Sequence, residues 1–186
     1  MDLTRRNFVK IMGASLAVTA MDMISDKKTV SADAREILDS AGKNRPEMAK
    51  QAYLNNATCA QAIISSYAED MGLDKEMAVR MMETFGGGIA GRQEACGAFV
   101  AANIVLSYIG SNGKFEYSET RNKNFARTRE LADLFEAKYG GLKCIDVLKG
   151  NKPKAGHCYD TVSQTANMLE KVIAVHKEEL KGQANL

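Results

Sequence analysis

The chain has 186 residues, with 25 Lys and Arg against 23 Asp and Glu, a net charge of +2 and 45% hydrophobic residues. That composition excludes an intrinsically disordered chain. The near balance of charge offers no electrostatic footprint for nucleic acid or for an anionic membrane surface.

The chain opens on an export signal. Residues 4–10 read Thr4-Arg5-Arg6-Asn7-Phe8-Val9-Lys10, a twin-arginine address read by a receptor. Ile11 to Met21 form a short apolar stretch, and Val30-Ser31-Ala32 supplies small residues for cleavage before Asp33. A membrane span needs roughly 20 apolar residues, and this stretch stops at Asp22. Residues 1–32 therefore read as signal peptide and linker, and the mature chain is expected to hold no stable span. The implied partner is the twin-arginine translocation machinery, and the implied location is periplasmic or otherwise extracytoplasmic. Residues 1–32 carry five Lys and Arg against three Asp and Glu, which leaves 20 of each sign beyond them. The slight basicity belongs to the signal, and the mature chain is neutral.

Residues 33–186 read as one helical domain. With two prolines and no tryptophan there is little to punctuate an all-β design. A first short helix is expected over Ala34–Ala41. A second begins near Pro46, capped by Asn44, and runs to about Met71, placing Cys59 in mid-helix. Asp74 caps a shorter helix through Glu83, with Met77, Met81 and Met82 packing inward. Gly86 to Gly91 reads as a flexible joint, after which helix resumes near Arg92 and carries Cys96, Ile104 and Val105. Ser118 caps a long charged helix whose inner stripe is Phe125, Leu131, Leu134, Phe135 and Tyr139, stopped by Gly140-Gly141. A turn or two of helix at Cys144–Leu148 follows. The last helix starts near His157 and carries Cys158, Val162, Thr165, Leu169, Val172 and His176 at spacings of three and four. No strand alternation competes, so the predicted class is all-α, an irregular bundle of five or six helices.

The chemistry lies in four cysteines: Cys59, Cys96, Cys144 and Cys158. No Cys-x-x-Cys occurs, which argues against thioredoxin-type motifs, zinc ribbons and covalent haem attachment. Buried hydrophobic thiols and structural disulfides are the plain alternatives.

The spacing of the cysteines and their neighbours resembles the redox-active family named for its C_GCAxxG_C_C pattern. Cys59 matches the first cysteine. Phe85-Gly86-Gly87-Gly88-Ile89 resembles the glycine stretch ahead of the motif, and Cys96-Gly97-Ala98-Phe99-Val100-Ala101 resembles the motif itself, with Ala101 where the family has its closing glycine. Phe135, Tyr139-Gly140 and Cys144 resemble the approach to the third cysteine, and Cys158 matches the fourth. The resemblance covers about residues 47–175 and implies a redox role for the four cysteines.

Three chemistries suit four thiols: an iron–sulfur cluster, a tetrahedral zinc site, or reversible disulfides. The twin-arginine route carries folded proteins, often with a cofactor already installed. That favours Cys59, Cys96, Cys144 and Cys158 as cofactor and metal ligands, with an iron–sulfur cluster ahead of zinc. The expected function is electron transfer with an unidentified redox partner protein. A metal-free thiol–disulfide protein and an accessory module with structural disulfides are the alternatives. A shared centre requires the four sulfurs to converge, whereas two disulfides need only two separate pairs.

Other signals are weaker. Gly86-Gly87-Gly88-Ile89-Ala90-Gly91 matches Gly-x-Gly-x-x-Gly, but the dinucleotide fingerprint needs a preceding strand and Val79–Phe85 reads as helix. His157 reads as an exposed helix-start residue and His176 as a core histidine, neither catalytic. No Ser/His/Asp arrangement or phosphate loop defines a substrate. Replacing Arg5 and Arg6 with Lys is expected to leave uncleaved precursor in the cytoplasm, as fractionation and immunoblotting would show; unchanged export would rule out the twin-arginine route.

Overall fold

A computed structural model describes residues 36–40, 43–151 and 158–183, all within the compact unit Ser31–Leu186. Residues 1–32, the expected export signal, lie outside the described residues, as does His157. The fold is all-α: among the described residues there is no β-strand, only an isolated antiparallel bridge between Ala95 and Lys143.

After a helical turn at residues 36–39, the chain forms α1 (Arg45–Leu54), α2 (Cys59–Ser65) and α3 (Lys75–Met82), followed by a 3-10 turn at Glu83–Phe85. Then come α4 (Gly97–Gly110), α5 (Glu119–Tyr139), α6 (Cys144–Asn151), α7 (Tyr159–Val175) and α8 (Lys177–Gln183). Most starts are capped as the sequence suggests. Asn44 accepts from the Glu47 N–H, Asp74 from Met77 and Ser118 from Arg121. Gly140, at φ +79°, ends α5 in the left-handed conformation.

Four expectations need correction. The helix from Pro46 does not run to Met71. It breaks at Asn55–Thr58, where Asn56 adopts φ +70°, and restarts at Cys59. Thr58 and Gln61 form a capping box, each side chain bonding the other's backbone N–H, so Cys59 is the first residue of a new helix. Helix after the glycine run begins at Gly97 rather than near Arg92. On α5, Phe125 and Leu134 face solvent while Asn124 and Arg127 are buried with Leu131, Phe135 and Tyr139. Met77 and Met81 on α3 are also exposed; of the three methionines Met82 alone packs inward, with Ala78.

The bundle is built around α2, which packs against α1, α3, α4 and α7. Ala60, Ala62, Ile63 and Ile64 of this short helix are all buried, so it has no solvent face over these positions. The alanines at 98, 101 and 102 of α4 are fully buried as well. Helix α7 lies along α1 and contributes Val162, Ala166, Leu169 and Val172 to the same core.

A buried charge cluster fixes α1 against its neighbours. Arg45 is 1% exposed. It donates to Asp70 at 2.6 Å and to Glu170 of α7 at 3.2 Å, and its guanidinium lies 4.8 Å from the centre of the Tyr67 ring. Lys43 and Ser40 complete the set, and Tyr67 donates to Glu170 at 2.6 Å. Burial pushes the Asp70 carboxyl up, but hydrogen bonds from Lys43 and Arg45 overcome this and hold it below the usual carboxylate range. Removing one partner strands the others in a dry site. Arg45→Met is expected to lower stability by about 3 kcal/mol, the low end for breaking a buried pair because Lys43 still faces Asp70. Urea unfolding measures this, and a midpoint unchanged from wild type would show the cluster to be energetically neutral.

Candidate functional site

Each cysteine sits at the beginning of a helix. Cys59 and Cys144 are the first residues of α2 and α6, and Cys96 and Cys158 are the N-cap residues of α4 and α7. Sequence periodicity placed three of them near helix ends; the break before Cys59 adds the fourth. All four line one cavity of about 350 Å³, and all four are free thiols. Cys59, Cys96 and Cys144 are buried, whereas Cys158 is half-buried.

Local backbone explains how four distant positions meet. The segment before Cys96 runs antiparallel to the segment before Cys144. The Cys96 N–H donates to the Leu142 carbonyl at 2.9 Å, the Cys144 N–H to the Glu94 carbonyl at 2.6 Å and the Ile145 N–H to the Gln93 carbonyl at 3.1 Å. Outside this clip, Lys143 pairs with Glu94 at 3.0 Å. The capping box at Thr58 sets Cys59, and the packing of α7 along α1 brings in Cys158.

The glycine run is not a loose joint. Gly87, Gly88, Ile89, Ala90 and Gly91 all have φ between +50° and +78°, five consecutive residues in the left-handed region. Hydrogen bonds close the turn: Ala90 N–H to the Thr84 carbonyl at 2.7 Å, and Gln93 and Glu94 N–H to the Gly87 and Gly88 carbonyls at 3.0 Å. A left-handed conformation costs an L-residue about 1–2 kcal/mol, so Ile89 and Ala90 hold stored strain beside the cysteines. Gly86, Gly87, Ala90 and Gly91 form part of the cavity wall.

Two glycines are required by contact. A Cβ on Gly88 would stand 2.5 Å from the Cys144 Cβ, and one on Gly97 would stand 2.5 Å from the Phe85 carbonyl oxygen and 2.8 Å from the Cys59 Sγ. Bare backbone at 88 and 97 thus lets the left-handed turn and α4 close over the sulfurs. Ala101, at the family's closing glycine, is fully buried in α4 and does not line the cavity.

The helix starts aim partial positive charge at the sulfurs, an effect that favours thiolate. Burial is stronger. It pushes the Cys96 thiol up to about 12, with Cys59 and Cys144 adding to the shift and the Phe99 and Ala98 N–H groups opposing it. Burial and the proximity of Cys59 and Cys158 push Cys144 up to about 11. Burial and Cys59 also raise Cys158, against a hydrogen bond from Tyr53 that lowers it. Cys59 therefore acts electrostatically on each of the other three, and the cysteines form one group rather than two remote pairs. Tyr139, Phe135 and Phe99 pack as tilted rings with centroids 4.6 and 5.3 Å apart and tie α5 to α4.

Two contributors were missed from sequence. Tyr53 lines the cavity with the four cysteines, and no motif marks it. The restart at Cys59 did carry a signal: Thr58-Cys59-Ala60-Gln61 fits the capping-box pattern. His176 forms no part of the site. It ends α7 and its Nε2 meets Glu130 at 2.6 Å.

Protonated, buried thiols are poor nucleophiles at neutral pH. In metal-free folded protein at pH 8, Cys144 is expected to react with iodoacetamide about a hundredfold, and Cys96 about a thousandfold, more slowly than in the denatured chain, because thiolate fraction falls about tenfold for each unit by which the pKa is raised. Linkage gives a matching trend. The ordinary thiol value is 9.0, and the folded values are about 12 and about 11. Between those limits the folded state binds more protons than the unfolded one, so stability falls as pH rises from about 9 to 12. Denaturant midpoints measured across that range should decline, and a flat profile would contradict the burial of the thiols.

Neither a comparison with curated proteins nor one with solved structures found a match. The family model described as "Putative redox-active protein (C_GCAxxG_C_C)" matches residues 57–172, a span that contains all four cysteines, the left-handed turn and the clip. The chain belongs to this redox-active four-cysteine family.

Proposed function

We propose that the four cysteines form one redox centre that binds an iron–sulfur cluster for electron transfer. The observation that carries this reading is that Cys59, Cys96, Cys144 and Cys158, from four different helix starts, line a single cavity. Four thiolates are the common ligand set of such clusters. Zinc accepts the same four ligands but has no redox chemistry, so the redox character of the family favours the cluster.

In this reading the protein residues have separate tasks. Cys59, Cys96, Cys144 and Cys158 supply the ligands. The clip and the bare backbone at Gly88 and Gly97 fix their spacing. The left-handed turn limits access of water. The cluster, when bound, accepts and releases single electrons, and metal ligation removes the thiol protons that burial otherwise retains. The twin-arginine sequence supports assembly in the cytoplasm, export in the folded state and operation in the periplasm or an equivalent compartment with a redox partner protein. No helix among the described residues is long and apolar enough to cross a membrane.

Anaerobic purification with iron and acid-labile sulfide analysis tests the proposal. Stoichiometric iron and sulfide with a reversible redox couple are expected, and Cys96→Ser should lose both. A wild-type protein that binds no iron yet titrates by two electrons per thiol pair would replace the cluster with disulfide chemistry. A fully loaded, redox-active Cys96→Ser variant would remove Cys96 from the centre.

A further inference from the structure

We infer that the mouth of the cysteine cavity is the docking surface for a one-electron carrier protein that presents an apolar contact patch beside basic side chains. This rests on the proposed redox role of the four cysteines and adds the chemistry of the partner. The cavity opens on one side. Of the residues that line it, Cys59, Cys96, Cys144, Val147 and Thr161 are buried, whereas Asn56, Glu83, Gly87, Ala90 and Gly91 are exposed. The mouth therefore lies between the break that separates α1 from α2 and the left-handed turn.

Two observations mark this mouth as a contact surface. The first is strain at exposed apolar residues. Ile89 has φ +62° and Ala90 φ +50°, and for a β-branched residue such a backbone is a true outlier. Core packing does little to offset it, because Ile89 is 42% exposed and Ala90 is exposed as well. Strain held at an exposed apolar side chain points to a contact outside the chain. Leu54 is 52% exposed. It stands between Tyr53 and Asn56, as Ile89 stands between Gly87 and Ala90, and these four neighbours all line the cavity. Both aliphatic side chains thus belong to its rim.

The second is charge. Glu83 is the one charged residue that lines the cavity, and it is exposed. Arg92 follows the turn but does not line the cavity, and Glu94 beyond it is paired with Lys143 at 3.0 Å. A carboxylate at the mouth attracts a carrier with basic side chains around its contact and repels an acidic one. The glycines and alanine of the rim are short, so a docked protein can approach the sulfurs closely. Electron-transfer encounters are small and transient, and an apolar centre with charge at its edge is the common anatomy of an interface. In the encounter the reduced centre loses one electron and the metal of the carrier gains it, with no bond or proton changed.

The probe is a small ferric haem protein whose haem edge is ringed by lysines, mixed with the anaerobically reduced full-length chain in a stopped-flow spectrometer. Wild type is expected to reduce it at a second-order rate that falls as salt rises. Glu83→Gln should flatten that dependence and match wild type at high salt, because only the long-range attraction is removed. Ile89→Asn, which suits a left-handed backbone, and Leu54→Gln should each slow the reaction roughly tenfold, the loss of one apolar anchor, at unchanged iron content and midpoint potential. An NMR titration with the zinc form of the same haem protein reads docking without electron transfer. The Ile89 and Leu54 methyl signals should shift, while those of buried Ile63 stay fixed. Rates independent of salt, rim variants as fast as wild type, or rim methyl signals that do not move would each overturn the inference. A wild-type dimer in sedimentation that Ile89→Asn dissociates would give the rim to a second copy of this chain instead. Absence of any redox couple in wild type would defeat the proposed function, while the methyl titration would still report docking, so the two failures are distinguishable.

Discussion

Two backbone hydrogen bonds, from the Cys96 N–H to the Leu142 carbonyl and from the Cys144 N–H to the Glu94 carbonyl, organise the site. They join segments nearly fifty residues apart and set two cysteines side by side at the starts of α4 and α6. Backbone pairing suits this task because it positions the chain without occupying a side chain. The sulfurs are left free to face the cavity. The bridge at Ala95 and Lys143 is the residue of sheet-like geometry that an otherwise helical fold retains, and it is placed where the chemistry requires it.

Closing the protein over this clip imposes a cost in backbone strain. Five consecutive left-handed residues, two of them Ile89 and Ala90, would not persist in an isolated peptide. They persist here because their N–H and carbonyl groups are bonded within the turn and because Gly88 packs directly on Cys144. Gly97 makes the same close approach to Cys59. Close approach, more than flexibility, explains the glycines around the cysteine motif. A methyl group at either position would need a backbone carbonyl or a cysteine side chain to move.

The electrostatics of the thiols fits the same picture. Helix starts stabilise negative charge, yet burial wins at Cys96, Cys144 and Cys158 and raises all three. A site that concentrates four sulfur donors at four helix starts is suited to a group that brings its own positive charge; in the proposed cluster-bound form the helix starts would oppose the residual negative charge of the thiolates. The half-buried Cys158 marks the side of the group nearest solvent.

The sequence by itself determined the helical class, most caps, the stop at Gly140 and the identity of the four cysteines, because apolar spacing and capping chemistry are local properties. It misplaced Phe125, Leu134, Met77 and Met81, since a helix pattern does not reveal which neighbour covers which face; on α5 the buried positions include Arg127, whose charge is met by Glu179 of α8 at 2.7 Å. The left-handed turn was unreadable for a related reason. Isolated Ile and Ala avoid positive φ, and only contacts made after folding compensate the strain. Tyr53 is an ordinary helix residue until α7 packs along α1 and both line the cavity with the cysteines. The tertiary structure alone decided that four cysteines spread over a hundred residues share one cavity, because their separations in sequence carry no information about distance until the clip, the capping box and the helix packing bring the four helix starts together.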